Sequence, residues 1–447
     1  MLLVSAKVGP FKSIDVPQTV NINEKVTVFV GMNEAGKTVF LQALLKANDA
    51  LDEASFHPVE DYPRKDLPKY LKQHKSTPAE VAVLKYQPSD DELNSVNAAL
   101  GTELKPGFTF SVNHKYDNSY AITISVDEAP VLAFVISSSS LSSDAKAVAQ
   151  KAKALRDIPG LLSEVSLTEE DQSFLNSIQE RMAKTEWRSV VNWEVWTLLK
   201  PHIPKFLYFS SYQLLPSKLN LQDLATRVNE SESNPKRLEP KHEGILALLR
   251  MADISIEEFT KTGGYEPLKA KIEGVSINLT DQIMDFWKQN EDLEVEIDIK
   301  PDPEDAEPFN QGANLYLRIK NRRHRGVSTP FRQRSQGFIW FFSFLVWFDD
   351  VQHQLATIDT GDAGLILLLD EPGLSLHALA QNDFLRYIAD LSQRHQVLYT
   401  THSPFMIHSD RLDEIRVVED RDKMGTVISE NLSGSDSRTL FPLQAAL

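Results

Sequence analysis

The sequence predicts an α/β fold of mixed β-sheets with flanking helices, in which buried strands deliver polar side chains to one sheet edge. Three observations predict this fold. Residues 31–38 fill the pattern Gly-x-x-x-x-Gly-Lys-[Ser/Thr] between a predicted strand and a predicted helix. An apolar run at residues 365–369 ends in two carboxylates, and another at residues 396–401 ends at a histidine.

The phosphate-loop pattern is complete and in the right setting. Residues 25–30 are β-branched and apolar enough for a buried strand, and a helical pattern begins at Thr38. Glycines let successive backbone N–H groups converge on phosphate oxygens at a helix N-terminus. The alternative is a chance glycine-rich turn, which would not require a strand before it and a helix after it. The residues predicted to contact a nucleotide are Gly31, Asn33, Glu34, Ala35, Gly36, Lys37, Thr38 and Val39.

Two of these residues carry specific chemistry. Lys37 would neutralise the β- and γ-phosphates of the nucleotide. The Thr38 hydroxyl would take one place in the octahedral shell of a Mg²⁺ ion. The sequence therefore predicts a phosphate-bearing nucleotide and Mg²⁺ as ligands.

The acidic pair after the second strand completes the predicted site. Asp370 and Glu371 follow the run Leu-Ile-Leu-Leu-Leu, as expected where a buried parallel strand ends at its carboxyl edge. Asp370 would hold Mg²⁺, and Glu371 would polarise the attacking water. The alternative, a solvated acidic turn, is disfavoured by the complete phosphate loop.

His402 follows the third apolar strand and is the last predicted catalytic residue, after Lys37 and Glu371. Its imidazole could contact the γ-phosphate and the attacking water. A lone histidine is more often structural, but its position at a strand end favours function.

Composition excludes several classes of protein. The 447 residues contain no cysteine, which rules out disulfides, thiolate metal sites and cysteine nucleophiles. No apolar run approaches the ~20 residues of a membrane span, and the longest candidate, 337–348, is too short. The N-terminus lacks a secretory signal, so we expect a cytoplasmic protein without a membrane partner.

The charge balance limits binding to nucleic acid. With 47 Lys and Arg against 63 Asp and Glu, the net charge is −16, so DNA binding would need a local basic patch or a partner protein. Residues 322–325, with Arg332 and Arg334 close behind, form the densest cluster that we single out. A solvated turn between strands explains this cluster equally well.

The chain divides into three predicted regions. Residues 1–136 have mixed α/β character and include a hairpin at 108–126, residues 137–290 are helix-rich with a strand at 205–211, and residues 291–447 return to mixed character. Within the helix-rich region, Ser166 and Glu169 have the spacing of a capping box.

These motifs resemble those of a known family. Residues 31–38, 370–377 and 400–404 look like the ATPase of the overcoming-lysogenization-defect (OLD) family, within the ABC class of ATPases. Lys12 and Ser13 resemble the early Phe-Lys-Ser element of these heads, which contacts nucleotide. Residues 334–338 occupy the place of the ABC signature but depart from its usual Leu-Ser-Gly-Gly pattern.

The resemblance implies an ATP-sandwiching homodimer. In this class two heads enclose two ATP molecules, and the signature of one head touches the nucleotide of the other. Ser335, Gln336 and Gly337 would therefore act in trans, and the loop after Gly373 would cross the dimer interface. The helix-rich region 137–290 would be an inserted unit that serves dimerisation or long-range contacts. Gln87 is a weak candidate for the glutamine that senses Mg²⁺.

OLD-family proteins typically continue into a TOPRIM nuclease domain, for which this chain leaves no room. Residues 415–430 read as a terminal hairpin, although Glu419, Asp420 and Asp422 mimic a nuclease carboxylate set. The last eight residues, 440–447, are apolar and helix-like. We therefore expect a nuclease domain downstream or a separate nuclease subunit.

The leading functional hypothesis is a Mg²⁺-dependent ATPase that controls a TOPRIM nuclease in DNA processing or anti-phage defence, with DNA as a candidate partner. The alternatives are the nucleotide-binding subunit of a transporter and a scaffold that binds ATP without turnover. A GTPase is disfavoured because the sequence lacks an Asn-Lys-x-Asp guanine-reading motif.

Overall fold

The computed structural model describes residues 1–209, 214–231, 234, 237–256, 265–286, 291–357, 364–374, 376–422 and 424–431. The strands in these ranges are β1 (Leu2–Val8), β2 (Gln18–Asn21), β3 (Val26–Gly31), β4 (Glu80–Gln87), β5 (Phe110–Lys115), β6 (Tyr120–Thr123), β7 (Lys205–Phe209), β8 (Lys218–Asn220), β9 (Leu293–Pro301), β10 (Ala313–Asn321), β11 (Val327–Pro330), β12 (Leu365–Leu369), β13 (Gln396–Thr401), β14 (Ile415–Arg421) and β15 (Gly425–Ser429).

The α-helices in the same ranges are α1 (Lys37–Ala47), α2 (Pro58–Asp61), α3 (Leu67–Gln73), α4 (Asp90–Leu100), α5 (Glu128–Ser137), α6 (Ser143–Ala149), α7 (Ile158–Leu162), α8 (Glu169–Ala183), α9 (Val190–Leu199), α10 (Leu221–Ser231), α11 (Pro240–Met251), α12 (Tyr265–Phe286), α13 (Gln336–Thr357) and α14 (Ala378–Leu391). Among these helices, none combines the length and apolar composition that a bilayer span requires.

A six-stranded sheet in the order β15-β14-β3-β13-β12-β7 forms the centre of the molecule. All of its neighbouring pairs are parallel except β14 with β15, which form the predicted terminal hairpin. The carboxyl ends of β3, β12 and β13 therefore lie at one edge of the sheet. The three predicted motifs follow these strand ends, so the topology brings them together.

Two antiparallel sheets accompany the central one. The first has the order β2-β1-β4-β5-β6 and contains the predicted hairpin β5–β6. In the second, β10 pairs with β9 on one side and with β8 and β11 on the other. The predicted mixed α/β architecture is confirmed.

The central sheet separates two hydrophobic cores because successive side chains of a strand point to opposite faces. Phe29 and Leu368 pack with the N-terminal sheet and helices α1 and α5–α9. Val28 and Leu367 pack with helices α10–α14. Helices from the predicted middle region, 137–290, are thus distributed over both faces of the sheet.

One predicted helix start is displaced by two residues. The N-cap of α8 is Thr168 and not Ser166, and the reciprocal partner is Asp171 and not Glu169. The Thr168 hydroxyl accepts from the Asp171 N–H at 3.2 Å, while the Asp171 carboxylate accepts from the Thr168 N–H at 3.0 Å. This carboxylate also accepts from Ser142 on the preceding segment, a tertiary contact that local spacing does not reveal.

Candidate active site

The phosphate loop requires glycine at two positions. A Cβ on Gly31 would lie 2.3 Å from the Val418 carbonyl oxygen, inside the neighbouring strand. Gly36 has φ +97°, in the left-handed region, and a Cβ there would lie 2.0 Å from Oγ1 of Thr426. Both glycines therefore permit close packing against the β14–β15 hairpin as well as the backbone path of the loop.

Lys37 is held at the mouth of the loop. Its side chain is 5% exposed, and Nζ donates hydrogen bonds to the carbonyl oxygens of Gly31 at 2.9 Å and Met32 at 3.0 Å. Nζ also forms an ion pair with Oε1 of Glu371 at 2.9 Å. The ammonium group thus lies on the first carbonyls of the loop and in contact with the predicted catalytic carboxylate.

The predicted metal ligands are adjacent. The Thr38 hydroxyl donates to the Asp370 carboxylate, at 2.8 Å from Oδ1 and 3.0 Å from Oδ2. Thr400 donates to Oδ1 at 2.8 Å, and Tyr208 donates to Oδ2 at 3.0 Å. A hydroxyl beside an oriented carboxylate supplies the hard oxygen ligands that Mg²⁺ takes, so this pair fits the ion.

Glu371 lies between two of the other predicted catalytic groups. One carboxylate oxygen contacts Lys37, and the other, Oε2, lies 2.9 Å from Nδ1 of His402. The residue has φ +48°, and its N–H donates to the Thr400 hydroxyl at 2.8 Å. Left-handed backbone is costly for a non-glycine residue and is tolerated where surrounding contacts fix it, often at active sites.

Lys12 and Ser13 lie beside the loop on the segment after β1. Lys12 Nζ donates to Oε1 of Gln42 on α1 at 2.6 Å and is 4.0 Å from Oδ1 of Asp61. Burial lowers the pKa of the Lys12 ammonium, and the Asp61 carboxylate opposes that effect. Ser13 Oγ lies 2.8 Å from Oγ1 of Thr426.

Thr426 joins this segment to the phosphate loop. Its N–H donates to the Ser13 carbonyl at 2.8 Å, and its buried hydroxyl lies 3.0 Å from the Ala35 carbonyl oxygen. The other loop residues face outward or pack: Asn33 and Glu34 are exposed, Ala35 is buried and Val39 is partly buried. Three of the predicted nucleotide contacts, Ser13, Ala35 and Gly36, thus lie against one threonine of β15.

The predicted signature lies at the same edge but on the outside. On helix α13, the ring centroid of Trp340 lies 5.4 Å from that of Phe209, the last residue of β7. The ring centroid of Phe348 lies 5.7 Å from that of His395, just before β13. The helix therefore runs antiparallel to the strands of the central sheet and begins at the edge that carries the site. Ser335 and Gln336 are exposed there, and Gly337 is buried.

The Ser335 side chain caps its own helix. Its hydroxyl accepts from the Phe338 N–H at 3.3 Å. The contacts recorded among the described residues do not join Ser335 to Lys37, Asp370 or His402. The structure thus brings five predicted residues together, namely Lys37, Thr38, Asp370, Glu371 and His402, and the described contacts of Ser335 do not include them.

Sequence reasoning missed several residues of this site and misplaced one. Tyr208, Thr400 and Thr426 contact predicted residues, and Gln381 contacts the loop that follows Glu371. Gln87 pairs with Leu2, whose neighbour Leu3 donates to Gln396 at the start of β13. Gln87 therefore lies at the opposite edge of the sheet from His402, and its assignment as the Mg²⁺-sensing residue is wrong.

The terminal hairpin is confirmed. Its carboxylates do not converge as a metal site would require, because Glu419 accepts from Arg421 at 2.6 Å and Asp422 is exposed at the turn. Residues 440–447 lie outside the described residues.

The phosphate loop after β3, the acidic pair after β12 and the histidine after β13 define a P-loop ATPase site in a mixed α/β fold. Residues 1–407 match the family described as AAA ATPase domain (AAA_15), and the chain belongs to that family.

An uncharacterised protein of Methanocaldococcus jannaschii is 25% identical over 199 residues, which are 44% of this chain and 47% of that protein. The match therefore spans about half the length of this curated relative.

Solved structures with a similar fold include heads of SMC proteins. The SmcHead bound to the C-winged helix domain of ScpA is 13% identical with a TM-score of 0.42, covering 96% of this chain and 98% of that one. The Smc head domain with an extended coiled coil, bound to the C-terminal domain of ScpA from Pyrococcus furiosus, is 15% identical with a TM-score of 0.38, covering 96% and 95%. The SMC head domain from Thermotoga maritima is 12% identical with a TM-score of 0.37, covering 96% and 98%.

Proposed function

We propose that this chain is an OLD-like ATPase head that acts in the cytoplasm, binds ATP with Mg²⁺ and closes as a homodimer around two ATP molecules. Closure and hydrolysis regulate a TOPRIM-type nuclease, present as a downstream domain or a separate subunit, in DNA processing or anti-phage defence. The observation that carries the proposal is the contact of Glu371 with both Lys37 and His402, directly beside the Thr38–Asp370 pair.

Each residue has a role that follows from its contacts. Bound Mg²⁺ supplies charge neutralisation at the phosphates, and Thr38 with Asp370 would hold it. Lys37 exchanges the Gly31 and Met32 carbonyls for phosphate oxygens. Glu371 keeps its contacts with Lys37 and His402, which orient the carboxylate to accept a hydrogen bond from the attacking water.

The exposed position of the predicted signature supports the proposed dimer. Ser335 is exposed at the edge that carries the phosphate loop, where it can reach the nucleotide of a second protomer. A two-fold dimer would make each site from the loop of one protomer and the signature of the other.

The substitution Glu371→Gln tests the catalytic assignment. It keeps the shape of the side chain but removes the base, so we expect ATP binding to persist and turnover to fall by roughly 10²–10⁴-fold. ATP should then hold the variant as a dimer, which light scattering coupled to gel filtration would show.

Glu103→Gln is a matched control because Glu103 is exposed and remote from the site. Wild-type turnover in the Glu371→Gln variant would contradict the assignment. A wild-type protein that binds ATP but releases no phosphate in a single-turnover assay would instead be the scaffold described above.

A further inference from the structure

A net charge of −16 means that any polyanion must bind to a local surface. The arginine cluster that the sequence singles out is partly neutralised. Arg322 Nε donates to Oε1 of Glu294 at 2.6 Å, and Arg323 pairs with Asp292. Two of the three arginines at residues 322–325 are therefore paired with carboxylates.

A second stretch, residues 64–75, has more available positive charge. It contains five Lys or Arg and one Asp, and all five cationic side chains are exposed. We call these five the α3 surface: Arg64, Lys65, Lys69, Lys72 and Lys75. Within the described part of the chain, Lys65 alone among them has a recorded ion pair, with Asp15 at 2.5 Å.

The α3 surface is firmly anchored. Leu67 and Tyr70 are buried on the inner side of α3, and the Tyr70 ring stacks on Tyr62 at 4.0 Å. Lys69 and Lys72 are three residues apart, which places them on one side of the helix. The cations are therefore presented by a fixed element and not by a mobile tail.

The same segment limits what kind of polyanion fits. Its one tyrosine, Tyr70, is 2% exposed and stacked on Tyr62, and the His74 ring packs against Tyr70, so no aromatic ring of this segment is available to stack on the bases of a single strand. The large apolar side chain exposed on this segment is Leu71, which is 42% exposed. One such side chain supplies little apolar area for insertion into a membrane. Duplex DNA matches best, because its backbone carries about one charge per 1.7 Å of axis.

We propose that the α3 surface binds the phosphate backbone of duplex DNA without reading its sequence. The proposal deepens the function proposed above by giving the ATPase its own contact with DNA. The contact also lies next to the nucleotide site, because the Asp61 carbonyl, just before this segment, accepts from the Lys12 N–H at 2.6 Å.

The test is fluorescence anisotropy of a labelled 30-base-pair duplex, titrated with the full chain at several salt concentrations. We expect binding that weakens with salt, as counterion release requires. The double substitution Lys69→Glu/Lys72→Glu should weaken binding at least tenfold and reduce the slope of log K against log salt by about 2.

The control is Lys151→Glu/Lys153→Glu, which makes the same change in net charge at two exposed positions elsewhere. It should bind DNA nearly as wild type, and both variants should keep wild-type ATP turnover, which shows that they are folded. Equal losses in the two variants, or no binding of the duplex at low salt, would overturn the proposal.

Two other ligands complete the test. Tenfold tighter binding of duplex RNA, or sensitivity to Lys69→Glu/Lys72→Glu only with anionic phospholipid vesicles, would assign the α3 surface to another partner. If DNA binds through the α3 surface but ATP is not hydrolysed, the proposed switch fails and the surface stands.

Discussion

At the scale of single residues, the site is arranged so that its charged groups satisfy one another before nucleotide arrives. Lys37 neutralises Glu371, and Asp370 accepts hydrogen bonds from three hydroxyls. Buried or half-buried charges are costly unless they are paired in this way. Nucleotide phosphates can therefore replace the carbonyl contacts of Lys37 without leaving an unpaired charge.

Gln381 on α14 connects two loops of this site. Its Nε2 donates to the Gly373 carbonyl at 2.9 Å, two residues after Glu371, and its Oε1 accepts from the Ser403 hydroxyl at 2.7 Å, one residue after His402. The side chain is 5% exposed. Gln381 is therefore a positioning residue that fixes the distance between the Glu371 loop and the His402 loop.

Replacing Gln381 by Ala should lower kcat about tenfold with less than a twofold change in KM. The reason is that two buried hydrogen bonds, each contributing about 1 kcal/mol, set the geometry of the Glu371–His402 contact but do not touch ATP. Steady-state ATP hydrolysis of Gln381→Ala, Ser403→Ala and the double variant would measure the effect, and the losses should not add.

Gln393→Ala is the control, since Gln393 follows the same helix but is exposed near Lys25. Ser403→Thr keeps the hydroxyl, so its kcat should lie much closer to the wild-type value than the kcat of Ser403→Ala. A Gln381→Ala variant with a lower melting temperature and unchanged kcat would reduce the residue to a purely structural role.

At the scale of elements, Asp171 links the start of α8 to that of α6. Its buried carboxylate accepts from the N–H groups of Thr168 and Ser142 and from the Ser142 hydroxyl. These hydrogen bonds, the backbone one from Thr168 first, lower the pKa of Asp171 to about 2 from its usual value of 3.8. The folded protein therefore favours the ionised form more than the unfolded chain does.

This pKa difference predicts a pH dependence of stability. The contribution of Asp171 should be complete above about pH 4 and decline as pH falls towards 2, because the unfolded chain takes up the proton first. Urea unfolding of Asp171→Asn should show a stability loss at pH 7 that shrinks between pH 4 and pH 2.

Glu170→Gln provides the comparison, because Glu170 lies in the same first turn but is exposed. Its stability difference from wild type should be small at every pH. A difference between wild type and Asp171→Asn that stays constant from pH 7 to pH 2 would contradict the role given to the carboxylate.

The elements that sequence predicted best are those with a local signal. The phosphate loop, Asp370 and His402 each follow directly after an apolar strand. Pattern and position are therefore sufficient to predict them from the sequence. Thr426 and Gln381 have no such signal: a single threonine in a strand or a single glutamine in a helix is ordinary. Only the packing of β15 and α14 against the loops gives these two residues their contacts.

At the scale of the whole molecule, the role of the exposed Ser335 distinguishes two arrangements of the active site. The site is either shared between two protomers or contained within one. If each site takes its signature from a second protomer, two inactive variants can repair each other. Lys37→Ala destroys the phosphate loop of its own protomer, and Ser335→Arg blocks the signature.

Mixing equal amounts of these two variants should restore about a quarter of wild-type ATP turnover. Half of the randomly formed dimers contain one protomer of each kind, and each of these dimers has one intact site. Neither variant alone should be active. Persistent inactivity of the mixture, with mixed dimers shown by differently tagged protomers, would mean that the signature acts within its own protomer or not at all.

The position of β3 in the central sheet has a consequence for how the protein is made. Both neighbours of this strand, β13 and β14, come from the last quarter of the chain, and Thr426 of β15 closes the phosphate loop. Such distant pairings form slowly, because a long stretch of chain must be brought together first. A nascent polypeptide thus carries its phosphate loop until the residues of β13, β14 and β15 have been made, so nucleotide capture marks the completion of this head.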